Sequence, residues 1–263
     1  MINLRGKIYK LVYLDTNALS EFTNNTKNFT KNLLTLFVDD HHLFVTSVFN
    51  ILELSRTCIN FKQKIKNSLG TMPLGILESI ENLCNFEING VSINNNLVMF
   101  AVGERSIFNV HINDLFCFLE EPQMKLTEAQ RQAQIREELL EWETERNNQN
   151  PNWQKNLSTT LFATMLRIST HLPPELSLSQ SQLPLCYSLQ IRSYIRNMFI
   201  HSQHKKLDTN SVIDSYNASY LPYVDVYITE RTVGAWLENA KSKFPFIKQK
   251  TICKISTFFD QSV

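Results

Sequence analysis

Glycine is scarce in this sequence, and several familiar functional patterns are missing from it. The 263 residues include 6 glycines, too few and too isolated to build a P-loop or a dinucleotide-binding fingerprint. The patterns GxSxG and HExxH are also absent. No stretch approaches the ~20 apolar residues of a membrane span, and the first residues lack the pattern of a secretory signal. We therefore expect a soluble, cytoplasmic protein.

Cysteine pairs and an excess of charge of one sign are missing as well. Five cysteines are scattered through the chain without any CxxC spacing, which argues against both a disulfide framework and a zinc site. The sequence has 26 Lys+Arg against 25 Asp+Glu, a formal net charge of +1. This balance gives no overall attraction for nucleic acid, so any positive potential that holds RNA has to be local.

The sequence does contain two copies of a strand, polar residue, helix pattern near its start. Residues Ile8–Leu14 form an almost continuous apolar run, typical of a strand buried on both faces of a parallel sheet, and Asp15 follows. A second strand, Leu43–Thr46, leads to Ser47, which we expect to cap a helix over Val48–Leu54. This alternation predicts an α/β fold.

The alternation of strands and helices returns in the last sixty residues, whereas the pattern in the middle of the chain predicts helices. We expect a helix over Ser211–Tyr220, a strand over Val226–Ile228, a helix over Arg231–Lys243 and a last strand within Phe246–Ile255. In the middle, Thr127 is predicted to open a helix with a capping box. Further helices are predicted over Phe162–Ile168 and Leu189–Ile200. The pattern thus predicts one domain over 1–263, with an α/β core from 1–60 and 206–263 and a largely helical insertion over about 61–205.

Four acidic residues stand at or just after the carboxyl ends of the predicted strands, or on the helices beside them. In an open parallel sheet these strand ends line the crevice where ligands bind, so distant residues can converge there. Carboxylates that meet in one cleft need a cation, and hard oxygen ligands favour Mg²⁺ or Mn²⁺, which can activate water for attack on a phosphodiester. The candidate catalytic and metal-binding residues are Asp15, Glu53, Asp214 and Glu230.

Each acid also has a purely structural alternative that the sequence leaves open. Asp15 is well placed to cap the helix that follows it. Glu53 stands three residues before Arg56, a spacing that allows an ion pair on one helix face. Asp214 could cap or tether its own helix, and Glu230 could pair with a neighbouring basic side chain.

Three segments resemble the PIN-domain nuclease family. VYLDTN (12–17) is similar to the first strand and first acid of that family, and TSVFNILE (46–53) is similar to a Ser/Thr followed by a helix with the second acid. DSYNASYLPYVDVYITER (214–231) resembles the closing helix and strand, in which a helix acid precedes a strand that ends in Thr-acid-Arg. The resemblance implies a PIN-like three-layer α/β domain with a central, mainly parallel sheet. It covers roughly 100 residues at the two ends of the chain.

This resemblance also implies roles for individual residues. Asp15, Glu53 and Asp214 would be ligands of Mg²⁺ or Mn²⁺, and Glu230 would be the fourth acid. Beside them, Asn17, Ser47, Thr229 and Asp225 would position ligands or water. The chain departs from the family pattern in two places: Asn217 stands where similar sequences often have His, and the fourth acid is Glu230 rather than Asp.

A second motif, RNMFIH (196–201), is similar to the motif of the metal-independent HEPN ribonucleases. In such an enzyme Arg196 and His201 would act on the 2′-hydroxyl and the phosphate, since an imidazole can serve as a general base near neutral pH. A plainer interpretation is a basic stretch that contacts RNA phosphates. This stretch consists of Arg192, Arg196, His201, His204, Lys205 and Lys206.

Taken together, these patterns predict a metal-dependent endoribonuclease that hydrolyses RNA. A toxin, a defence effector and an RNA-processing factor are all compatible with the resemblance, with tRNA as one candidate substrate and a regulatory protein or antitoxin as a candidate partner. Homo-oligomers are left open, and no membrane partner is expected. The two alternatives are a catalytically inactive PIN-derived module that binds RNA or protein, and a HEPN-type ribonuclease that uses Arg196 and His201.

Overall fold

A computed structural model describes most of the chain. The described residues are 2–4, 7–24, 27–37, 41–57, 60, 63–64, 74–102, 112–148, 152–172, 178–202 and 205–259. The chain divides into two compact units. The sheet unit comprises Met1–Ser79, Asn94–Glu128 and Tyr223–Val263, and the helical unit comprises Ile80–Ile93 and Ala129–Pro222. Within the described residues, no helix is both long and apolar enough to cross a bilayer.

The sheet unit is built on a mixed, mostly parallel sheet of six strands in the order β5-β4-β3-β2-β6-β7. Only the β4–β5 pair in this order is antiparallel, and β1 pairs antiparallel with the start of β2. This arrangement confirms the predicted α/β class with a mainly parallel sheet. The strands are β1 Ile2–Leu4, β2 Lys7–Leu14, β3 His42–Ser47, β4 Leu74–Leu77, β5 Val98–Val102, β6 Val226–Thr229 and β7 Thr251–Lys254.

Strand β2 lies in the interior of the sheet, between β3 and β6. Its residues 11–14 are fully buried, which explains why this segment is apolar without alternation. Tyr13 stacks on Tyr227 of β6, with ring centroids 5.0 Å apart. Because β2, β3 and β6 run parallel, their carboxyl ends lie at one edge of the sheet.

Helices pack on this sheet through one continuous apolar cluster. Phe22, Phe29, Phe44, Ile51 and Leu115 are buried members of the cluster, contributed by strands and helices. Burial of this surface is the main favourable term for the sheet unit. Its helices are α1 Thr16–Thr23, α2 Lys27–Phe37, α3 Val48–Thr57, α6 Ile112–Glu120 and α11 Arg231–Ala240.

The helical unit has its own buried core, which contains an ion pair. Arg192 is 1% exposed and donates to both carboxylate oxygens of Glu138, at 2.8 and 2.6 Å. Tyr216 hydrogen-bonds the same carboxylate, and the Arg192 guanidinium lies over the tyrosine ring, 3.5 Å from its centroid. The helices are α4 Ile80–Ile88, residues 129–147 of α7 Pro122–Asn147, α8 Leu157–Ser169, α9 Tyr187–His201 and α10 Thr209–Ala218. The short helix α5 spans Ile93–Asn96. Its first residue, Ile93, is also the last residue of the segment Ile80–Ile93 of this unit.

The structure departs from the sequence prediction in the middle of the chain. Strands β4 and β5 fall in the range 61–205, which was expected to be largely helical. The capping box predicted at Thr127 is wrong, because helix α7 begins at Pro122 and the Thr127 hydroxyl donates to the carbonyl of Gln123 inside it. The helical unit also differs in extent from the predicted insertion, since it includes residues 206–222.

Candidate functional site

Asp15 is the most deeply buried of the four predicted acids. It follows β2 directly, is 1% exposed, and caps helix α1 by accepting a hydrogen bond from the Ala18 backbone N–H on Oδ1, at 2.8 Å. The capping role anticipated from sequence is therefore present. Its other oxygen, Oδ2, is buried and has no partner at hydrogen-bond geometry among the described residues. A buried carboxylate oxygen without a donor is costly, so this position favours a proton or a cation.

Burial raises the pKa of Asp15 from its ordinary 3.8 to about 6. Polar contacts with the Thr229 side chain and with the backbone at Ala18 and Glu230 oppose this rise, whereas the negative charge of Glu230 adds to it. Desolvation dominates because the charged form loses its water at this depth. A perturbed carboxyl at the carboxyl end of parallel strands is a frequent feature of functional sites.

Thr16 connects the Asp15 segment to Glu53. The Thr16 hydroxyl lies 2.9 Å from Oε2 of Glu53 and 3.1 Å from Oδ1 of Asn50, so its single proton is available to either acceptor. Glu53 is half-buried on helix α3. The predicted second acid therefore has a defined orientation toward the first turn of α1. The side chain of Arg56, the alternative ion-pair partner of Glu53, lies outside the described residues.

Asn50 connects the ends of β2 and β3 with the start of helix α3. It is 1% exposed, and its amide nitrogen lies 3.0 Å from the Thr46 hydroxyl, 3.1 Å from the Tyr13 hydroxyl and 3.3 Å from the Leu14 carbonyl. The Thr46 hydroxyl donates to the Leu14 carbonyl at 2.8 Å. These contacts fix the ends of β2 and β3 and the start of α3 relative to one another.

Glu230 stands on the other side of Asp15. Leu14 pairs with Ile228 in the parallel ladder, and the Asp15 N–H donates to the Ile228 carbonyl at 3.3 Å, which brings Thr229 and Glu230 to the same sheet edge. Glu230 is the residue that precedes helix α11, and its side chain does not cap that helix. We use the name strand-end site for Asp15, Thr16, Asn50, Glu53, Thr229 and Glu230.

The three acids of the strand-end site do not form a tight metal cage. Across the described residues, Asp15, Glu53 and Glu230 do not bring three carboxylate oxygens within 4.8 Å of one another. Mg²⁺ commonly uses one or two carboxylates and keeps several waters, so a tight cage is not a requirement for this ion. Within this set, the Oδ2 of Asp15 is the buried oxygen that has no partner at hydrogen-bond geometry among the described residues.

The remaining predicted residues lie in different surroundings. Asp214 is half-buried on helix α10, in the helical unit. Ser47 caps helix α3, as predicted, with its Oγ 3.2 Å from the Asn50 N–H. Asn17 is exposed on the first turn of α1. Asp225 precedes β6 at its amino end, the opposite end of the strand from Thr229, and its Oδ2 accepts from the Leu11 N–H at 2.9 Å.

The predicted basic stretch is mostly not a free surface. Arg192 and Arg196 are 1% and 2% exposed, and Arg196 forms a two-bond pair with Glu145 at 2.8 and 2.7 Å. Both arginines were predicted to contact phosphates. In the structure they form internal ion pairs instead. Lys205 is half-buried and Lys206 is exposed. His204 lies outside the described residues.

His201 lines an open groove within the helical unit. Its ring stacks on Trp153 with centroids 5.2 Å apart, and burial, followed by the charge of Arg196, lowers the pKa of its imidazole. The groove has a volume of about 1040 Å³. The lining includes Glu141, Glu145, Asn156, Arg167, Asn197 and His201.

Comparisons with protein-family models, curated proteins and solved structures gave no match for this chain. We therefore infer its function from the geometry of its own residues.

Proposed function

We propose that the chain is a metal-dependent endoribonuclease of the PIN-domain type, which hydrolyses RNA phosphodiester bonds at the strand-end site. The observation that carries this proposal is the buried carboxylate of Asp15, whose Oδ2 has no partner at hydrogen-bond geometry in the described part of the chain and whose pKa is raised to about 6. A group in this state is stabilised by a nearby cation. Its place at the carboxyl ends of parallel strands is where ligands bind in open α/β sheets.

A divalent cation fits this donor set by its chemistry. Asp15, Glu53 and Glu230 offer hard oxygens, which select Mg²⁺ or Mn²⁺ over soft metals. When bound, such an ion supplies Lewis-acid chemistry at a phosphodiester. Asp214 stays a proposed ligand on the basis of its sequence context.

The residues of the chain have distinct tasks in this proposal. Asp15 would hold the cation, while its Oδ1 accepts from the Ala18 N–H and caps helix α1. Thr16 orients the Glu53 carboxylate through the 2.9 Å hydrogen bond. Glu230 adds negative charge beside Asp15 and can accept a proton from an attacking water. Thr229 contacts the Asp15 carboxyl and steadies it.

RNA cleavage tests the proposal. Purified protein is incubated with mixed cellular RNA and Mn²⁺, with and without EDTA, beside Asp15→Asn and Glu53→Gln. The matched control is Glu238→Gln, which removes an exposed carboxylate from the helix that follows Glu230. We expect cleavage by wild type and Glu238→Gln that stops in EDTA and in both site variants. Undiminished cleavage by Asp15→Asn would contradict the proposal. If the wild-type protein neither cleaves RNA nor binds Mn²⁺, the result supports the inactive binding module.

The groove in the helical unit supports a second candidate, a HEPN-type ribonuclease. His201 and Asn197 line it, and the lowered pKa of His201 keeps its imidazole neutral near physiological pH, the form that acts as a general base. Arg196 does not line the groove itself. It contacts Glu145, which does. Cleavage that survives EDTA and is lost in His201→Gln favours this second site, and cleavage that stops in EDTA argues against it.

A substrate such as tRNA, control by an antitoxin-like protein, and a role as toxin or defence effector remain proposals that rest on the sequence resemblance.

A further inference from the structure

Two buried thiols and a carboxylate converge inside the helical unit. Cys84, Glu87 and Cys186 place one ligand atom each within 4.8 Å of the other two, the one such group of three among the described residues. Both cysteines are fully buried, and Glu87 is half-buried. The cluster is distinct from the strand-end site, which lies in the sheet unit.

Local structure explains how residues so far apart in sequence come together. Cys84 and Glu87 are three residues apart on helix α4, so they share one helix face. Cys186 is the residue that precedes helix α9. Glu87 ties the two elements together, because its carboxylate accepts from the Tyr187 N–H at 2.9 Å and from the Ser188 hydroxyl at 3.0 Å.

We propose that Cys84, Cys186 and Glu87 form a binding site for Zn²⁺. Thiolate sulfur is a soft ligand that selects Zn²⁺ over Mg²⁺ or Mn²⁺, and a carboxylate oxygen is an accepted third ligand. Three protein ligands leave one tetrahedral position for water, and the partial exposure of Glu87 gives water a route to it.

The surroundings of the cluster suit a bound cation. The hydrogen bonds from Tyr187 and Ser188 to Glu87 orient its carboxylate, as outer partners of metal ligands do. Ser188 Oγ also lies 3.3 Å from Cys84 Sγ. Two thiolates and a carboxylate carry three negative charges, of which Zn²⁺ neutralises two. The positive end of the α9 dipole offsets part of the remainder.

Without metal the Cys84 thiol is expected to be protonated. The hydrogen bond between Cys84 and Cys186, together with burial, holds the pKa of the Cys84 thiol well above its usual range. Binding of a metal to the thiolate form releases this proton. This coupling gives the site a signature that is independent of any enzymatic activity.

Cobalt substitution tests the site directly. The reduced full-length protein is stripped of metal with a chelator and titrated with Co²⁺, and thiolate-to-cobalt charge transfer is followed in the near ultraviolet. We expect a charge-transfer band that saturates at one Co²⁺ per chain and is displaced by Zn²⁺. Cys84→Ser and Cys186→Ser should each lose most of the band. Glu87→Gln should keep sulfur charge transfer but lower the affinity by at least the roughly tenfold loss typical of an outer partner.

The control is Cys117→Ser, which removes an exposed thiol of the sheet unit and should leave the titration unchanged. A folded, reduced wild-type protein that gives no charge-transfer band overturns the proposal, whatever the variants do. The same holds if mass spectrometry of the protein as purified shows Cys84 and Cys186 joined in a disulfide, since the pair would then be a redox crosslink. Circular dichroism establishes that each variant is folded before its titration is interpreted.

Discussion

Replacing Asp15 by Asn should stabilise the metal-free sheet unit while it removes activity. Asparagine keeps the shape of the side chain and is as good a helix cap as aspartate, so the bond to the Ala18 N–H survives. The substitution removes the charge that burial penalises, and it replaces Oδ2 by an amide nitrogen, which donates hydrogen bonds instead of accepting them. One pKa unit corresponds to about 1.4 kcal/mol, so a rise from 3.8 to about 6 corresponds to roughly 3 kcal/mol at neutral pH.

The sign of this effect fixes its pH dependence. Because the folded-state pKa of Asp15 is raised, the carboxyl binds its proton more tightly in the folded protein than in the unfolded chain. Stability is therefore lost as pH rises between the two pKa values, from about 4 to about 6. The advantage of Asp15→Asn should be close to zero near pH 3, about half developed near pH 5 and complete above pH 7.

Hydrogen exchange of amides in β2 and β6 measures this effect within the sheet unit. Wild type and Asp15→Asn are compared in EDTA at several pH values, and the free energy of opening is taken from the exchange rates. Added Mn²⁺ should then stabilise wild type and leave Asp15→Asn unchanged, because a ligand stabilises only the folded state that binds it. Equal stability of the two proteins near pH 8, or an advantage that does not change with pH, would refute the reasoning.

Four further variants extend the tests. Thr16→Val, which removes the hydroxyl that orients Glu53, should lower kcat/KM for Mn²⁺-dependent RNA cleavage by about tenfold or more, with a melting temperature close to that of wild type. Glu138→Gln should destabilise the helical unit by roughly 3–5 kcal/mol in urea unfolding, because it leaves the Arg192 charge buried and poorly paired. The double variant Glu138→Leu/Arg192→Met should recover most of that loss. His201→Gln should not change the rate of metal-dependent cleavage in the same RNA assay.

Much of the sheet unit could be predicted because its local signals agree with its tertiary structure. The run that became β2 is apolar on both faces, and Asp15 both ends the strand and caps the helix after it. Ser47 was expected to cap a helix, and the structure has this cap. Strands β4 and β5 were missed because they are short: Leu74–Leu77 contains Gly75, and Val98–Val102 is an apolar run that fits a helix equally well.

The environment of the candidate site was harder to predict, since it depends on partners that are distant in the chain. Thr16 was not singled out by the sequence, although its hydroxyl reaches Glu53, 37 residues away. Arg192 looked like part of a basic surface, but its partner Glu138 lies 54 residues earlier and holds it in the core. A positive charge on a helix does not reveal whether an acid from another helix will neutralise it.

The cluster of two cysteines and Glu87 was also hard to predict from the sequence. The absence of CxxC spacing argued against a metal site, yet Cys84 and Cys186, 102 residues apart by their numbering, meet beside Glu87. The Cys84–Glu87 spacing of three was the local signal available in the sequence, and such pairs occur on many helices that bind nothing.

The most direct test of the central claim is Mn²⁺ binding followed by electron paramagnetic resonance near neutral pH. Wild type, Asp15→Asn and Glu238→Gln are titrated in parallel, each first loaded with one equivalent of zinc per chain to fill the thiolate site and then freed of unbound zinc. Our account predicts Mn²⁺ uptake by wild type and by Glu238→Gln, and its loss in Asp15→Asn. Equal Mn²⁺ uptake by wild type and Asp15→Asn, or no uptake by wild type, would contradict the claim that Asp15 is the centre of a carboxylate–metal site.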